Sequence, residues 1–108
     1  MPENIAEWSQ SEQKIAQAAF EKAYEREIAA LMATVREKAT EMTDIEQMWQ
    51  LHDFLSAKRH DIEGKYDYRY SALIFTFARL VKEDWLQMQE LQGLEADKLA
   101  KIKALMRI

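Results

Sequence analysis

The sequence has no cysteine, one proline (Pro2) and two glycines, Gly64 and Gly93. Without Cys there can be no disulfide, thiolate nucleophile or thiolate metal site, which fits a reducing compartment. Few chain breakers and many Ala, Glu, Lys, Leu and Gln mark a helical chain by propensity. Positive charge is also short: 15 Lys and Arg face 19 Asp and Glu in 108 residues, a net charge of −4. Phosphate binding draws on a cationic excess, so a nucleic-acid partner is not expected. The most apolar stretch, Ala72 to Val81, contains Arg79. It spans about ten residues, too few for a bilayer, and membrane insertion is not expected. Met1-Pro2-Glu3-Asn4 shows no basic start and no apolar run after it, so no signal peptide is expected.

What is present is a set of helical patterns. Hydrophobic residues make up 48% and charged residues 31%, the balance of a folded domain and not of a disordered one. The length suits one domain, 1–108, and no internal repeat is visible. The first eight residues read as a tail. Ser9 followed by Glu12 is a capping box, and a helix is expected from there to about Thr40. Its apolar stripe is Phe20, Tyr24, Ile28, Leu31, Met32, Val35, Ala39 and Met42, at spacings of three and four. Thr43 with Glu46 suggests a second capping box, and a second helix from Asp44 to about Glu63 is expected to stop at Gly64. A third helix is expected from about Tyr68 to Leu91, and a short fourth from about Glu95 to Met106 after Gly93. Leu73-Ile74-Phe75-Thr76-Phe77 has strand-like composition, but Tyr70, Leu73, Ile74, Phe77, Val81 and Trp85 continue a helical stripe and nothing nearby could pair with a strand.

A helix of about thirty residues is roughly 45 Å long, while a compact domain of this size has a radius of gyration of about 13 Å. The first helix must therefore project beyond a single-chain core. Its stripe then needs a partner, and a second copy of the chain is the simplest one. The expected fold is all-α and elongated: a long N-terminal helix, a second helix forming a dimer stalk, and a small C-terminal helical head. The long helices and dimerisation region would occupy about 9–63 and the head about 66–108.

The second helix interrupts its own pattern. Ile45, Met48, Trp49, Leu51, Phe54, Leu55 and Ile62 are threaded with His52, Asp53 and Arg59. Asp53 lies one turn after Trp49, and Arg59 two turns after His52. A planar, always-charged Arg beside a carboxylate and an indole is the makeup of an interface anchor; solvated helix charges around a core Trp are the plain alternative. Other chemistries find less support. His60 and Glu63 have a ligand-pair spacing, but the chain holds only two His and no second such motif, so no metal is expected. Ser56 lies one turn from His52 and from His60 without an oxyanion hole or a third orienting group, so no enzyme, and no small-molecule substrate, is expected. Lys58, Arg59, Lys65 and Arg69, with Tyr66, Tyr68 and Tyr70, read as a basic patch suited to an acidic protein surface. Lys98, Lys101, Lys103 and Arg107 read as complements of the last helix's dipole.

The run Trp49 to Tyr66, WQLHDFLSAKRHDIEGKY, closely resembles the fluorescence recovery protein family of cyanobacteria. The resemblance continues in register through Trp8-Ser9-Gln10, Phe20-Glu21-Lys22-Ala23-Tyr24, Leu31-Met32-Ala33-Thr34-Val35 and Lys101-Ile102-Lys103-Ala104-Leu105. The first few residues and Glu83–Gly93 match less well, and nothing is carried over there. The resemblance implies a helical homodimer that binds the photoactivated orange carotenoid protein, mainly at its C-terminal domain. It implies faster red-to-orange reversion of that partner and its release from the phycobilisome, in the cytoplasm and peripherally on the cytoplasmic side of the thylakoid. No cofactor is implied, because the carotenoid belongs to the partner. Trp49, His52, Asp53 and Arg59 match the family's functional patch, and Phe75 and Lys101 match further partner contacts on the head. The dimer interface is expected at Met32, Met48, Trp49, Leu51 and Leu55, with Met48 matching a family dimer contact. A helical scaffold for a different protein partner, and a nucleic-acid-binding dimer, are the competing readings.

Overall fold

A computed structural model describes residues 7–108. It consists of α1 (Gln10–Glu41), α2 (Ile45–Lys65), α3 (Leu73–Lys82), a 3-10 turn (Met88–Leu91) and α4 (Ala96–Met106). The described residues are all-α, with one isolated bridge between Gln92 and Leu94. The long axis measures 54 Å against 28 and 26 Å, and the radius of gyration is 16.8 Å. That exceeds the roughly 13 Å of a compact chain of this length, so the elongation inferred from α1 is present.

α1 starts as its capping box dictates. The Ser9 hydroxyl accepts from the Glu12 amide at 3.1 Å, and the Glu12 carboxylate accepts from the Ser9 amide at 3.0 Å. Its buried face differs from the expected aromatic stripe. Glu12, Ala16, Ala19, Ala23 and Glu27 are the buried residues, while Tyr24 and Met32 are exposed and Phe20, Ile28, Leu31 and Val35 are half-buried. The physical reason is distance: alanines let the head approach the N-terminal half of the helix closely with Phe20 at the edge of that contact, whereas Ile28, Leu31, Met32 and Val35 lie beyond the head. Trp8, expected in a tail, is buried in the core; residues 1–6 of that tail lie outside the described residues.

The second capping box falls one residue later than expected. Asp44, not Thr43, is the cap: its carboxylate accepts from the Gln47 amide at 2.9 Å, and Gln47 reaches back to the amides of Thr43 and Asp44. Asp outranks Thr at this position. α2 also runs through Gly64 to Lys65, because Lys65 and Tyr66 are both captured by Glu27 on α1. The expected third helix is shorter, Leu73–Lys82. It ends where Asp84 takes a left-handed φ of 68°, with the Trp85 amide donating to Leu80 (2.9 Å) and the Asp84 amide to Val81 (3.0 Å). This is a Schellman stop with Asp in glycine's usual place. Gly93 is left-handed as well, at φ 106°. A Cβ there would meet the movable end of the Ile15 side chain, so it is the left-handed φ that calls for glycine where this loop crosses α1.

The head packs α3, α4 and the 3-10 turn around Phe77, Leu73, Leu80, Leu86, Leu91 and Ile102, all fully buried. The N-terminal half of α1 belongs to this core through its alanines. Two ion pairs fasten the two together. Arg26 forks onto Glu90 at 2.7 and 2.8 Å and also donates to the Trp85 carbonyl. Lys98 donates to the Glu7 carbonyl at 2.7 Å and pairs with Glu12, whose carboxylate also accepts from the Glu95 amide. The far half of the hairpin, from about Ile28 to Leu55, has no third layer and includes no buried residue.

Candidate functional site

The stalk patch is built on one helix. Ile45, Met48, His52, Leu55 and Arg59 follow each other at spacings of three, four, three and four, which aligns them in one seam along α2. Trp49 and Asp53 flank it. α2 turns Phe54, Lys58 and Ile62 toward α1 instead, where they line a cleft with Leu31 and Glu27. The seam is therefore left uncovered within the chain. Trp49 is 55% exposed, Met48 47%, and Leu55 is also exposed, as is Met32 on α1. Leu51 is half-buried and lines a small crevice with Lys38 and Gln50. Among the described residues, polar members of the patch pair within their helix: His52 Nδ1 is 3.3 Å from Asp53 Oδ1, and Arg59 Nε is 3.5 Å from Glu63 Oε2. An indole and a methionine left in water, with a weakly engaged Arg about three turns further along the same helix, form a surface ready to be desolvated.

Phe75 and Lys101 meet on the head. They line one open depression of about 430 Å³ with Ile74, Ala104 and Leu105. A neighbouring depression of about 260 Å³ shares Phe75 and Leu105. Phe75, 63% exposed, stands on the ridge between them. The six residues singled out for partner binding thus form two surfaces, one on the stalk and one on the head.

The expected basic patch does not form. Lys65 is buried, and its ammonium lies between Glu27 (2.7 Å) and Glu83 (2.8 Å). Arg69 forks onto Asp67, and the hydrogen bonds from Arg69 hold the Asp67 carboxyl down to about 2. Lys98 is likewise no complement to the end of its helix: it lies in the first turn of α4, buried against Glu12 and 5.0 Å from the Trp8 ring centroid. The aromatic residues of the same segment have a packing role. Trp8, Tyr70, Tyr68, Phe20, Tyr66 and Tyr24 form a chain of ring contacts with centroids 4.8 to 5.7 Å apart, which straps residues 66–72 along α1. The pairings of Glu27 with Lys65 and of Glu12 with Lys98 were not visible in the sequence, since the partners lie 38 and 86 positions apart. Acidic residues spaced with the alanines of one helix face were the only available sign.

Among the described residues, no three His, Asp or Glu side chains are gathered as a metal site would need. No helix of that region is long and apolar enough to cross a membrane.

A profile of the family described as photoprotection regulator fluorescence recovery protein matches residues 8–106. The chain belongs to this family. The fluorescence recovery protein of Synechocystis is 56% identical over 103 residues, covering 95% of this chain and 94% of that protein. The solved structure of the Fremyella diplosiphon fluorescence recovery protein aligns with a TM-score of 0.91 at 58% identity, over 94% of this chain and 99% of that one. The Synechocystis structure aligns equally well, with a TM-score of 0.91, 56% identity and the same coverage. The match spans both the stalk patch and the head, so the family assignment covers the whole candidate site.

Proposed function

We propose that this chain is a non-enzymatic regulator of photoprotection that binds the photoactivated orange carotenoid protein, mainly through that partner's C-terminal domain. Binding accelerates the partner's red-to-orange reversion and promotes its release from the phycobilisome, so that antenna fluorescence recovers. Membership of the photoprotection-regulating family supports this reading. The observation that carries it is the uncovered patch on α2, where Trp49 and Met48 are about half exposed on the helix that also carries Arg59. Speeding a relaxation requires tighter binding of its transition state than of the starting form, and each tenfold corresponds to about 1.4 kcal/mol. A few desolvated aromatic and Arg anchors supply several such factors. No cofactor is required of this chain.

The working form is a homodimer in which a second copy packs on the apolar positions of the α2 seam, with Met32, Met48, Trp49, Leu51 and Leu55 at or beside the contact, so that one face serves both dimerisation and partner docking. The three-four spacing of Ile45, Met48, His52, Leu55 and Arg59 suits helix-on-helix packing. Trp49, His52, Asp53, Arg59, Phe75 and Lys101 are assigned to the carotenoid-protein partner. The complex forms in the cytoplasm, peripherally at the cytoplasmic face of the thylakoid. In the deciding experiment, purified chain is mixed with photoactivated orange carotenoid protein in the dark and the red-to-orange absorbance change is followed. No acceleration at micromolar concentration would reject the proposal. A complex that forms without acceleration would point to a scaffold.

A further inference from the structure

α2 is thinly held along most of its length. From Ile45 to Asp61 it contains no buried residue; its buried residues are Ile62 and Lys65, both in the last turn. Within one chain, the buried anchor of the helix that carries the stalk patch therefore lies at that end. There, the Lys65 side chain is 1% exposed, and its ammonium reaches Glu27 on α1 and Glu83 just after α3, with Asp61 on its own helix at 3.8 Å. Arg79 of α3 makes a second bridge, to Asp61 at 2.7 Å and to Glu83 at 2.8 Å. The Tyr66 hydroxyl donates to the other Glu27 oxygen at 2.7 Å. One buried cation thus joins three elements.

A methionine or leucine would fill this space without the desolvation cost of a buried charge. What an apolar side chain lacks is direction. Charge-assisted hydrogen bonds fix angles, whereas apolar contacts allow a helix to rock. We infer that Lys65 is a positioning residue: it clamps α2, which carries the stalk patch, onto the body formed by α1 and the head, which carries the Phe75–Lys101 depression. A partner then meets both surfaces at one fixed spacing. The second contact becomes intramolecular once the first is made, and its strength depends on how narrowly that spacing is held. This inference rests on the partner-binding reading above.

The test uses the absence of Cys. Ala57→Cys on α2 and Ala100→Cys on α4, both at exposed sites, carry spin labels, and labelled chain is diluted with unlabelled chain. Distance distributions are compared with and without the paired change Lys65→Met plus Glu27→Gln. That pair removes the clamp without leaving an uncompensated buried charge and preserves an acceptor for Tyr66. The distribution is expected to be narrow in the parent and broad in the variant at unchanged helix content. Affinity for photoactivated orange carotenoid protein is expected to fall about tenfold. In a Lys101→Ala background, where the head contact is already impaired, the same paired change is expected to alter affinity by less than about twofold. A residue with only a general stabilising role would weaken binding equally in both backgrounds. Equal losses, or a distribution that stays narrow, would overturn the inference. If the parent chain fails to bind the partner, the proposed function falls, while the distance distributions still decide whether Lys65 sets the spacing.

Discussion

Lys65 and Glu27 are 38 residues apart in the chain and 2.7 Å apart in the fold, with side chains 1% and 5% exposed. Truncating only the cation leaves Glu27 buried without its charge partner. Lys65→Ala is expected to destabilise the fold by about 3 kcal/mol. Lys65→Met with Glu27→Gln should recover most of that loss. Urea unfolding followed by circular dichroism checks both, and equal stability of the single variant and the parent would contradict the buried pair.

Several carboxylates titrate lower in the fold than in the open chain. The Arg26 guanidinium holds Glu90 down to about 2. Burial pushes Glu83 and Glu12 up, but hydrogen bonds outweigh it: those of Lys65 and Arg79 at Glu83, and those of Lys98 and two backbone amides at Glu12. The hydrogen bond from Arg79 lowers Asp61. A depressed carboxylate contributes stability above its unfolded pKa, and that contribution is lost as pH falls through the folded value. Thermal stability is therefore expected to hold near neutrality and to decline below about pH 5. Glu90→Gln should be less stable than the parent at pH 7 and show a shallower decline. Identical slopes in the two proteins would reject the Arg26–Glu90 contribution.

Asp84 holds a left-handed φ of 68° at the end of α3, where glycine has no Cβ penalty. Asp84→Gly is expected to stabilise the chain by about 0.5 kcal/mol, raising Tm by roughly 2–4 °C. Gly93→Ala should do the opposite, because its Cβ meets Ile15 and its φ is left-handed; a loss of about 1–3 kcal/mol is expected. Differential scanning calorimetry on the two variants tests both signs.

Met48 is 47% exposed in the single chain, so a charge there costs little unless a second copy covers it. Met48→Glu is expected to cost the dimer about 3 kcal/mol and leave helix content unchanged. Size-exclusion chromatography with light scattering reads the outcome, and an unchanged dimer would place the interface elsewhere.

Arg59 is 81% exposed at its side chain and makes a 3.5 Å ion pair with Glu63. Arg59→Ala should therefore change folding stability by less than about 0.5 kcal/mol. As an interface anchor its loss is expected to weaken partner binding by about 2 kcal/mol, roughly thirtyfold. Titration against photoactivated orange carotenoid protein separates the two effects; wild-type affinity would remove Arg59 from the site.

Helices were legible wherever local chemistry is self-sufficient. Ser9 and Glu12 cap α1 because both partners of the box lie within one turn. The scarcity of proline and glycine with many helix-forming residues set the all-α class, and the length of α1 set the elongation. Where a signal depended on something distant, local reading failed. Gly64 did not stop α2 because Glu27 on α1 captures the residues that follow it, and Asp84 stopped α3 through local bonds in a left-handed conformation that its residue type does not announce.

The candidate site divides along the same line. Trp49, His52, Asp53 and Arg59 share a helix, so periodicity alone brings them together. Phe75 and Lys101 belong to different helices, and only the packing of α3 on α4 puts them in one depression. Charge shows the difference most sharply. From the chain alone, Lys58, Arg59, Lys65 and Arg69 look alike; in the fold, one is buried between two glutamates and another is forked onto Asp67. Sequence by itself determined the all-α class, the start of α1, the placing of Trp49, His52, Asp53 and Arg59 on one helix and the family, because these depend on composition, local spacing and residue identity. Tertiary structure decided which charges are exposed and how the two surfaces are held, because burial and ion pairing depend on residues far apart in the chain.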